Sequence, residues 1–337
     1  MAMRSLAVAI ALWVAAISQA VVTQGNPYNI TGTGTPSGTY TACCNPSVWI
    51  DNNIQSGGYL AVSDGDGIVY REEWGAAQAI GSFIIDVSDR ACGGEIWVAT
   101  KLGGPCDTKL TTFQAAQGWQ SIMVNVVPRK VYGVEIRVNK GTICSWQDES
   151  AAAYYQIGEV SIFSRPLGEN LALGMPTVRN DTTQYWLFEG SVTDSSLLSA
   201  WRADATADAN WVGFVVPDGG TIDVTHLRVV SAAMHAPQGA WTWRDFDVQI
   251  MKDGQWVDEP LIRAAITPGE DICWIDFGQT LRVQGIRLYG SVAGLNNPIV
   301  SDAGLIIDEI AAFYIPIPEP ATMALLAMGG LALLRRR

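Results

Sequence analysis

Short runs in which apolar and polar residues alternate recur along most of the chain. In the first half these runs are Gly81–Val87, Glu95–Ala99, Ser121–Val126, Tyr132–Val138 and Gln156–Phe163. Each run has the length of a strand, and a period of two is typical of an antiparallel strand with one buried face. No long amphipathic helix pattern separates them. The pattern therefore predicts an all-β protein.

A second series of such runs follows in the same order. Its members are Trp211–Val216, Thr225–Val230, Phe246–Ile250, Val283–Leu288 and Ile307–Phe313. The last two match the last two runs of the first half in order and character. Two tandem β-sandwiches of about 140 residues each account for this repeat, with residues 164–168 as the linker between them.

The C-terminal end follows a different pattern. An apolar run at 321–334 lies between a short triplet and a basic cluster, which are Pro318, Glu319, Pro320 and Arg335, Arg336, Arg337. As a helix this run would be about 21 Å long, which is short of the roughly 30 Å bilayer core. Arginines at the cytoplasmic face and a thinner bilayer still allow it to enter a membrane. The alternative is a core or amphipathic helix, but a run that is apolar on all sides argues against it.

This tail resembles the PEP-CTERM sorting signal, the C-terminal tag of exported bacterial proteins that an exosortase handles. The resemblance rests on Pro318–Ala321, the apolar helix after it and the arginine cluster. It implies a precursor transiently anchored in the membrane by its C-terminal helix and cut near the motif. Exosortase-type sorting machinery is then a partner, and the destination is the cell surface or the extracellular matrix. Residues 316–337 are therefore set apart from the fold.

The N-terminus is consistent with export. Residues 1–20 contain one early cation, Arg4, an apolar stretch from Leu6 to Ile17, and small residues just before Val21. This order is typical of a secretory signal peptide. An N-terminal anchor helix is the alternative, although the apolar stretch is short for one.

The charge balance narrows the range of partners. The formal net charge is −12, which argues against nucleic acid or an anionic lipid surface as a partner. Neutral sugars and divalent cations are compatible with it, and so is a simple role in solubility.

Four segments of the second half, Asn170–Pro176, Trp211–Val216, Arg244–Trp256 and Ile306–Ile310, resemble those of a discoidin (coagulation factor C-type) domain. Asp253-Gly254 would supply the turn of its hairpin. The resemblance implies two tandem antiparallel jelly-roll β-sandwiches of the galactose-binding-like type. They would comprise residues 21–165, which are divergent, and residues 169–315, flanked by the signal peptide and the short C-terminal apolar helix.

Ligand sites of discoidin-like folds are built from loops at one end of the sandwich, where aromatic rings stack on sugars. The loop residues that fit this description are Trp241, Trp243, His235, Gln238 and Arg244. They combine flat apolar faces with hydrogen-bonding groups, and they predict a polysaccharide site. The alternative is that one tryptophan of the pair faces the core.

The chain has six cysteines, which in an exported protein favour disulfides over metal or catalytic sites. Cys92 and Cys106 flank a loop with glycine and proline and are the preferred pair. Cys144 would pair with Cys43 or Cys44.

Four aspartates are candidate ligands for a structural calcium ion, the one cofactor considered: Asp64, Asp66, Asp204 and Asp208. Calcium needs six to eight oxygen ligands, and members of this fold often carry one in an early loop. Ordinary Asp-Gly turn chemistry explains the same residues.

The sequence contains no serine-hydrolase elbow, zinc-protease motif or phosphate-binding glycine loop. Acidic pairs such as Glu72-Glu73 imitate a glycosidase dyad, but solvated charge is the preferred interpretation. The sequence therefore predicts an exported, non-enzymatic protein that binds extracellular polysaccharide. The alternatives are a purely structural matrix protein and a glycoside hydrolase.

Overall fold

The computed structural model describes residues 22–39, 50–52, 54, 58–61, 68–87, 93–116, 118–138, 154–180, 191–197, 201–202, 210–231, 241–290 and 305–316. Within these ranges the regular structure is strand, apart from 3₁₀ conformation at Ile54 and at Pro217–Gly219. The same ranges hold no helix long and apolar enough to cross a membrane. The predicted signal peptide and the sorting tail from residue 317 onward lie outside them. The all-β prediction is confirmed.

The first half of the chain forms eight strands: β1 Thr23–Gln24, β2 Thr35–Thr39, β3 Gly58–Ala61, β4 Ile68–Val87, β5 Gly93–Ala99, β6 Thr108–Gln114, β7 Gln120–Val138 and β8 Tyr154–Phe163. Strands β4 and β7 are 20 and 19 residues long. They pair along their whole length, and the register shifts between Glu73 and Gln78 and again between Ile80 and Ser82.

These two long strands connect the layers of the first sandwich. The N-terminal part of β4 pairs with β2, its C-terminal part pairs with β8, and β5 pairs with the C-terminal part of β7. The core lies between the two layers and includes Tyr70, Phe83, Ile96 and Val160. The sequence pattern predicted two separate strands, Ser121–Val126 and Tyr132–Val138, where the structure has the single strand β7. Residues 127–130 between them are all exposed, so the alternation of buried and exposed positions is interrupted there.

The second half forms twelve strands: β9 Thr177–Arg179, β10 Trp201–Arg202, β11 Asn210–Val215, β12 Ile222–Val230, β13 Trp241–Thr242, β14 Asp245–Lys252, β15 Gln255–Trp256, β16 Ile262–Ala265, β17 Ile272–Val283, β18 Gly285–Gly290, β19 Leu305–Ile307 and β20 Glu309–Phe313. One sheet has the order β15-β14-β18-β11-β9, a second has β1-β17-β12-β20, and β10-β19-β13 form a small third sheet. Pairing is antiparallel except between β13 and β19.

The core of this second sandwich contains Phe214, Phe246, Phe277 and Ile286. One of its strands comes from the other end of the chain. Thr23 of β1 lies opposite Asp276 of β17, and the Gly25 amide donates to the Trp274 carbonyl at 2.7 Å. The N-terminal strand therefore pairs with the second sandwich, although it lies within residues 21–165 in sequence.

The two sandwiches pack against each other through one sheet of each. Strands β8, β12 and β20 are buried on both faces over 157–163, 224–230 and 309–313. An apolar cluster fills the contact, with Ile84, Trp119, Phe163 and Leu167 on the first side and Val230, Ile272, Trp274 and Phe313 on the second. Phe163 meets Trp274 edge-on, with ring centroids 5.3 Å apart.

A buried ion pair crosses this interface. Nη2 of Arg228, on β12, lies 2.7 Å from Oδ2 of Asp86, on β4, and the two side chains are 1% and 0% exposed. Nη1 of Arg228 also donates to the Ser121 hydroxyl at 3.0 Å. Because each charge is removed from water, each depends on the other to offset its lost hydration.

Two further carboxyls are buried at the same contact. Burial raises the pKa of Glu159, and the nearby charges of Asp86 and Asp51 raise it further. Burial likewise raises the pKa of Glu309, with Asp194 adding to the effect. Both groups therefore favour the neutral form in the folded protein.

The predicted Cys92–Cys106 disulfide is wrong. Cys106 is a free, buried thiol, and burial raises its pKa to about 11. Gly93, the residue after Cys92, pairs with Gln114 at the end of the β5–β6 hairpin far from Cys106. About 17 Å of strand β5 separates Gly93 from the β5–β6 turn, which contains Cys106. A disulfide needs Cα atoms within about 7 Å of each other. The prediction overlooked that β5 itself lies between the two cysteines.

Cys273 is also free and buried. Cys92, Cys43, Cys44 and Cys144 lie outside the described residues, so the pairing of Cys144 with Cys43 or Cys44 stays a prediction.

Replacing Arg228 with methionine is expected to lower the free energy of unfolding at pH 7.5 by about 3–5 kcal/mol, since Asp86 would be left as an uncompensated buried charge. Burial raises the pKa of Asp86, so part of the loss should be recovered at pH 5, where the carboxyl takes up a proton. Urea titrations at both pH values measure this.

The control is Arg282→Met, which breaks an exposed pair with Asp223 and should leave the unfolding midpoint unchanged. Equal effects of the two substitutions would contradict a special role for the buried pair.

Replacing Glu159 with glutamine is expected to flatten the pH dependence of stability. The raised pKa means that the folded state retains a proton that the unfolded chain releases above about pH 4.5. Stability is then fully present below that pH and falls as the pH rises toward the folded-state pKa. Urea midpoints between pH 4.5 and 8 should fall less steeply in Glu159→Gln than in the parent. Identical slopes would show that Glu159 is charged in the folded protein.

Candidate functional site

Trp243, a predicted ligand-binding residue, is a core residue. Its side chain is 0% exposed and packs against Trp201 and Phe246, with ring centroids 5.4 and 5.9 Å away. Its amide donates to the Ser231 hydroxyl at 2.7 Å. Loop tryptophans cannot be assigned to core or solvent from local sequence, and here the core alternative is the correct one for Trp243.

Among the other loop candidates, the structure describes the side chain of Arg244. Nη1 of Arg244 donates to the Thr267 carbonyl at 2.8 Å, so this side chain holds the loop before β17. The backbone of Trp241 pairs with Leu305. The Trp241 side chain, His235 and Gln238 lie outside the described residues.

The metal prediction stays untested. Asp64, Asp66, Asp204 and Asp208 all lie outside the described ranges. Inside those ranges, no three histidine, cysteine, aspartate or glutamate side chains come close enough together to hold a metal ion.

The acidic pair Glu72-Glu73 has structural partners instead of a shared site. Glu72 is 0% exposed and accepts the Gly34 amide at 2.7 Å and the Tyr70 hydroxyl at 2.8 Å. Glu73, on the opposite face of β4, pairs with Arg71. Neighbouring residues of a strand point to opposite faces, so these carboxyls cannot flank one substrate. The expectation of solvated charge was wrong for Glu72.

An aromatic cluster lies on the outer face of the second sandwich, which is the face that does not touch the first. Three half-buried rings surround one guanidinium there: the Arg287 carbon Cζ is 4.7 Å from the ring centroid of Trp256, 5.2 Å from that of Tyr289 and 5.3 Å from that of Trp211. We call these four side chains the aromatic platform. The two indoles are 6.2 Å apart.

Strand register assembles the platform. Trp211 on β11 lies opposite Tyr289 on β18, and Arg287 is two residues before Tyr289 on the same face. Alternation along β18 buries Ile286 and Leu288 and turns Arg287 and Tyr289 outward. The platform therefore lies on three strands of one sheet, β11, β18 and β15, which makes it more rigid than a site built from loops.

A tight turn brings the second indole to the platform. Asp253 and Gly254 both have positive φ, +50° and +74°, as a type I′ hairpin requires, which confirms the predicted turn. Trp256 then lies opposite Met251 and reaches over Gly285. A Cβ on Gly285 would lie 3.3 Å from Cη2 of that indole. The glycine therefore leaves space for the indole ring.

Gln249 orients the guanidinium. Its side-chain oxygen accepts from Nε of Arg287 at 2.7 Å, and its Nε2 donates to the Asp258 carbonyl at 3.0 Å. Gln249 is 4% exposed. Partial burial lowers the pKa of Arg287, yet a guanidinium stays charged at neutral pH.

The matching face of the first sandwich is built differently. With Gly133 matched to Gly285, Glu135 takes the position of Arg287, and it lies opposite Trp97 as Arg287 lies opposite Gln249. Glu135 pairs with Arg137 and Arg71, and Lys109 pairs with Glu95 at 2.9 Å. This face also has an indole under a guanidinium, with Arg137 4.2 Å from the Trp97 centroid, but here carboxylates neutralise the cations.

Sequence reasoning missed the platform because it searched loops. The available signal was the alternation itself, which turns Arg287 and Tyr289 to the solvent side of a strand whose other residues are apolar. That Trp211 and Trp256 join them depends on register, which the sequence does not display.

The tail of the chain, residues 316–337, matches the family model described as the PEP-CTERM protein-sorting motif. The predicted resemblance is thereby confirmed for the tail. The motif implies export to the cell surface and processing by an exosortase. No curated protein matches the chain.

Several solved structures are similar in part. A fucolectin from striped bass (Morone saxatilis) serum is 14% identical, covering 87% of this chain and 100% of that one, with a TM-score of 0.34. Two CBM32 domains of Clostridium perfringens ZmpB are 6% identical over 88% of this chain and 100% of theirs, with a TM-score of 0.32.

A chitosan-binding module from a Paenibacillus chitosanase/glucanase is 17% identical, covering 40% of this chain and 98% of the module, at a TM-score of 0.32. Likenesses of this size carry no argument about the ligand of this chain.

Proposed function

We propose that this protein is exported to the cell surface and there binds extracellular polysaccharide, without catalysis, through the aromatic platform of its second sandwich. The observation that carries the proposal is the set of three half-buried rings, Trp211, Trp256 and Tyr289, on one outward sheet face. Flat aromatic faces with polar groups beside them are a common way for proteins to bind sugar rings.

The position of the platform supports this proposal. The opposite sheet of the same sandwich is buried against the first sandwich, so ligands reach the second sandwich through its outer face or its loop ends. A sheet face presents its rings to a long chain without enclosing it. This favours a polymer over a small molecule in a closed cavity.

The sorting tail supports the location. A protein carrying an exosortase-processed tag would be anchored in the membrane by the helix of residues 321–334, then cut near Pro318–Pro320 and released to the surface matrix. Polysaccharide is a main component of such a matrix, so a binding face of this kind would retain the protein there.

The loop end remains a second candidate for the same function. Trp241, His235 and Gln238 would form it, with calcium at Asp64 and Asp66 or at Asp204 and Asp208 as a structural support. The burial of Trp243 removes one of its two predicted rings, and for this reason the platform is the preferred site.

The double substitution Trp211→Ala/Trp256→Ala is expected to weaken polysaccharide binding roughly 5- to 150-fold, because each ring contributes roughly 0.5–1.5 kcal/mol of stacking. Affinity electrophoresis in gels containing single polysaccharides, together with a glycan array, measures this. Circular dichroism should show an unchanged fold, since both indoles lie at the surface of the sheet and outside its core.

The matched control is Trp97→Ala, which removes the indole from the equivalent face of the first sandwich and should leave binding intact. If the parent protein is folded and no polysaccharide retards it, a purely structural matrix role replaces the proposal. If the double variant binds like the parent, the loop end takes the place of the platform.

A further inference from the structure

The arginine at the centre of the platform forms no direct ion pair with a described residue, although the negative charge of Asp258 lies near enough to act on it. Arg71, Arg137, Arg228, Arg263 and Arg282 each lie within 4 Å of a carboxylate oxygen. Arg287 has no such neighbour in the part of the chain that the structure describes, and its described polar partner is the neutral Gln249. A partly desolvated cation without a direct ion-pair partner favours binding of an anion.

The geometry leaves the right atoms available. The rings of Trp211, Trp256 and Tyr289 surround the guanidinium, and its Nε is engaged by Gln249. The two Nη groups make no hydrogen bond to a described residue, and two adjacent N–H groups match the two oxygens of a carboxylate.

The first sandwich provides an internal comparison. At the position of Arg287 it has Glu135, and acidic side chains already neutralise its neighbouring cations. Both faces have a tryptophan and an arginine in contact, so this pairing alone does not distinguish them. The difference is that, among the described residues, the cation of the second face has no direct ion pair, so an incoming anion could supply one there.

We infer that the platform selects acidic polysaccharide: a uronate carboxylate pairs with the Nη groups of Arg287 while adjoining sugar rings stack on Trp211 and Trp256. This inference rests on the proposed function and adds the class of ligand to it. Bulk charge does not produce the selection, since the net charge of −12 repels polyanions over the rest of the surface. The attraction must therefore be local to Arg287.

The experiment compares polygalacturonate with fully methyl-esterified polygalacturonate, which has the same backbone without the negative charge. The full chain is used in a detergent that contains no sugar, at 150 mM salt, with retardation in affinity gels as the measurement. The parent should bind the free acid roughly tenfold or more tightly than the ester, the usual effect of one charge-assisted hydrogen-bonded contact. Arg287→Gln should lose this preference.

Two further variants sharpen the comparison. Arg287→Lys keeps the charge but loses the two-pronged geometry, so an intermediate preference is expected. Arg137→Gln is the matched control on the first sandwich and should bind like the parent.

The outcomes separate the two proposals. If Arg287→Gln keeps the preference for the acid, or the parent shows none, the inference is overturned. If the Trp211→Ala/Trp256→Ala variant still loses binding in that case, the proposed function survives. Retention of carrageenan, a sulfated polymer, without retention of polygalacturonate would overturn the assignment to carboxylates. Unchanged binding by the tryptophan variant would overturn the proposed function itself.

Discussion

The contact between the two sandwiches is the constraint on which the rest of the structure depends, and the Asp86–Arg228 ion pair lies within it. Both charges are removed from water, and an apolar cluster around Phe163 and Trp274 surrounds them. A pair of this kind contributes little net stability compared with apolar packing, but it penalises any arrangement that separates its partners. It therefore favours one relative placement of the two sandwiches, and β1 adds to this by pairing with the far sandwich.

This placement determines which surfaces are available. Strands β8, β12 and β20 are buried on both faces over residues 157–163, 224–230 and 309–313, so these stretches present no sheet face to a ligand. The outer faces remain, and their chemistry differs at one matched position, Glu135 in the first sandwich and Arg287 in the second. The first face is neutralised by its own ion pairs, whereas the second combines half-buried rings with a cation that forms no direct ion pair to a described residue. One repeated fold thus carries one face whose charged groups pair with each other and one face on which we propose that a ligand binds.

Particular residues show how far sequence reasoning reached. Alternation predicted β8, β12, β14 and β18 closely, and the Asp253-Gly254 turn was predicted from its dipeptide. Alternation did not predict β17 or the first half of β4, because strands that are buried on both faces or bent in the middle lose the period of two. The Cys92–Cys106 bridge failed for a related reason, since spacing along the chain ignores a strand that separates the two thiols. The predicted calcium ligands stay predictions.

The sequence alone determined the all-β class, the two-fold repeat and the sorting tail, because each is encoded by local pattern or by a contiguous motif. Only the tertiary structure decided which tryptophans face solvent. Trp243 lies in the core while Trp211 and Trp256 meet across a sheet, although all three are aromatic residues in similar surroundings along the chain. The physical reason is register: residues far apart in sequence become neighbours only after strands pair, and pairing places Arg287 among three aromatic rings.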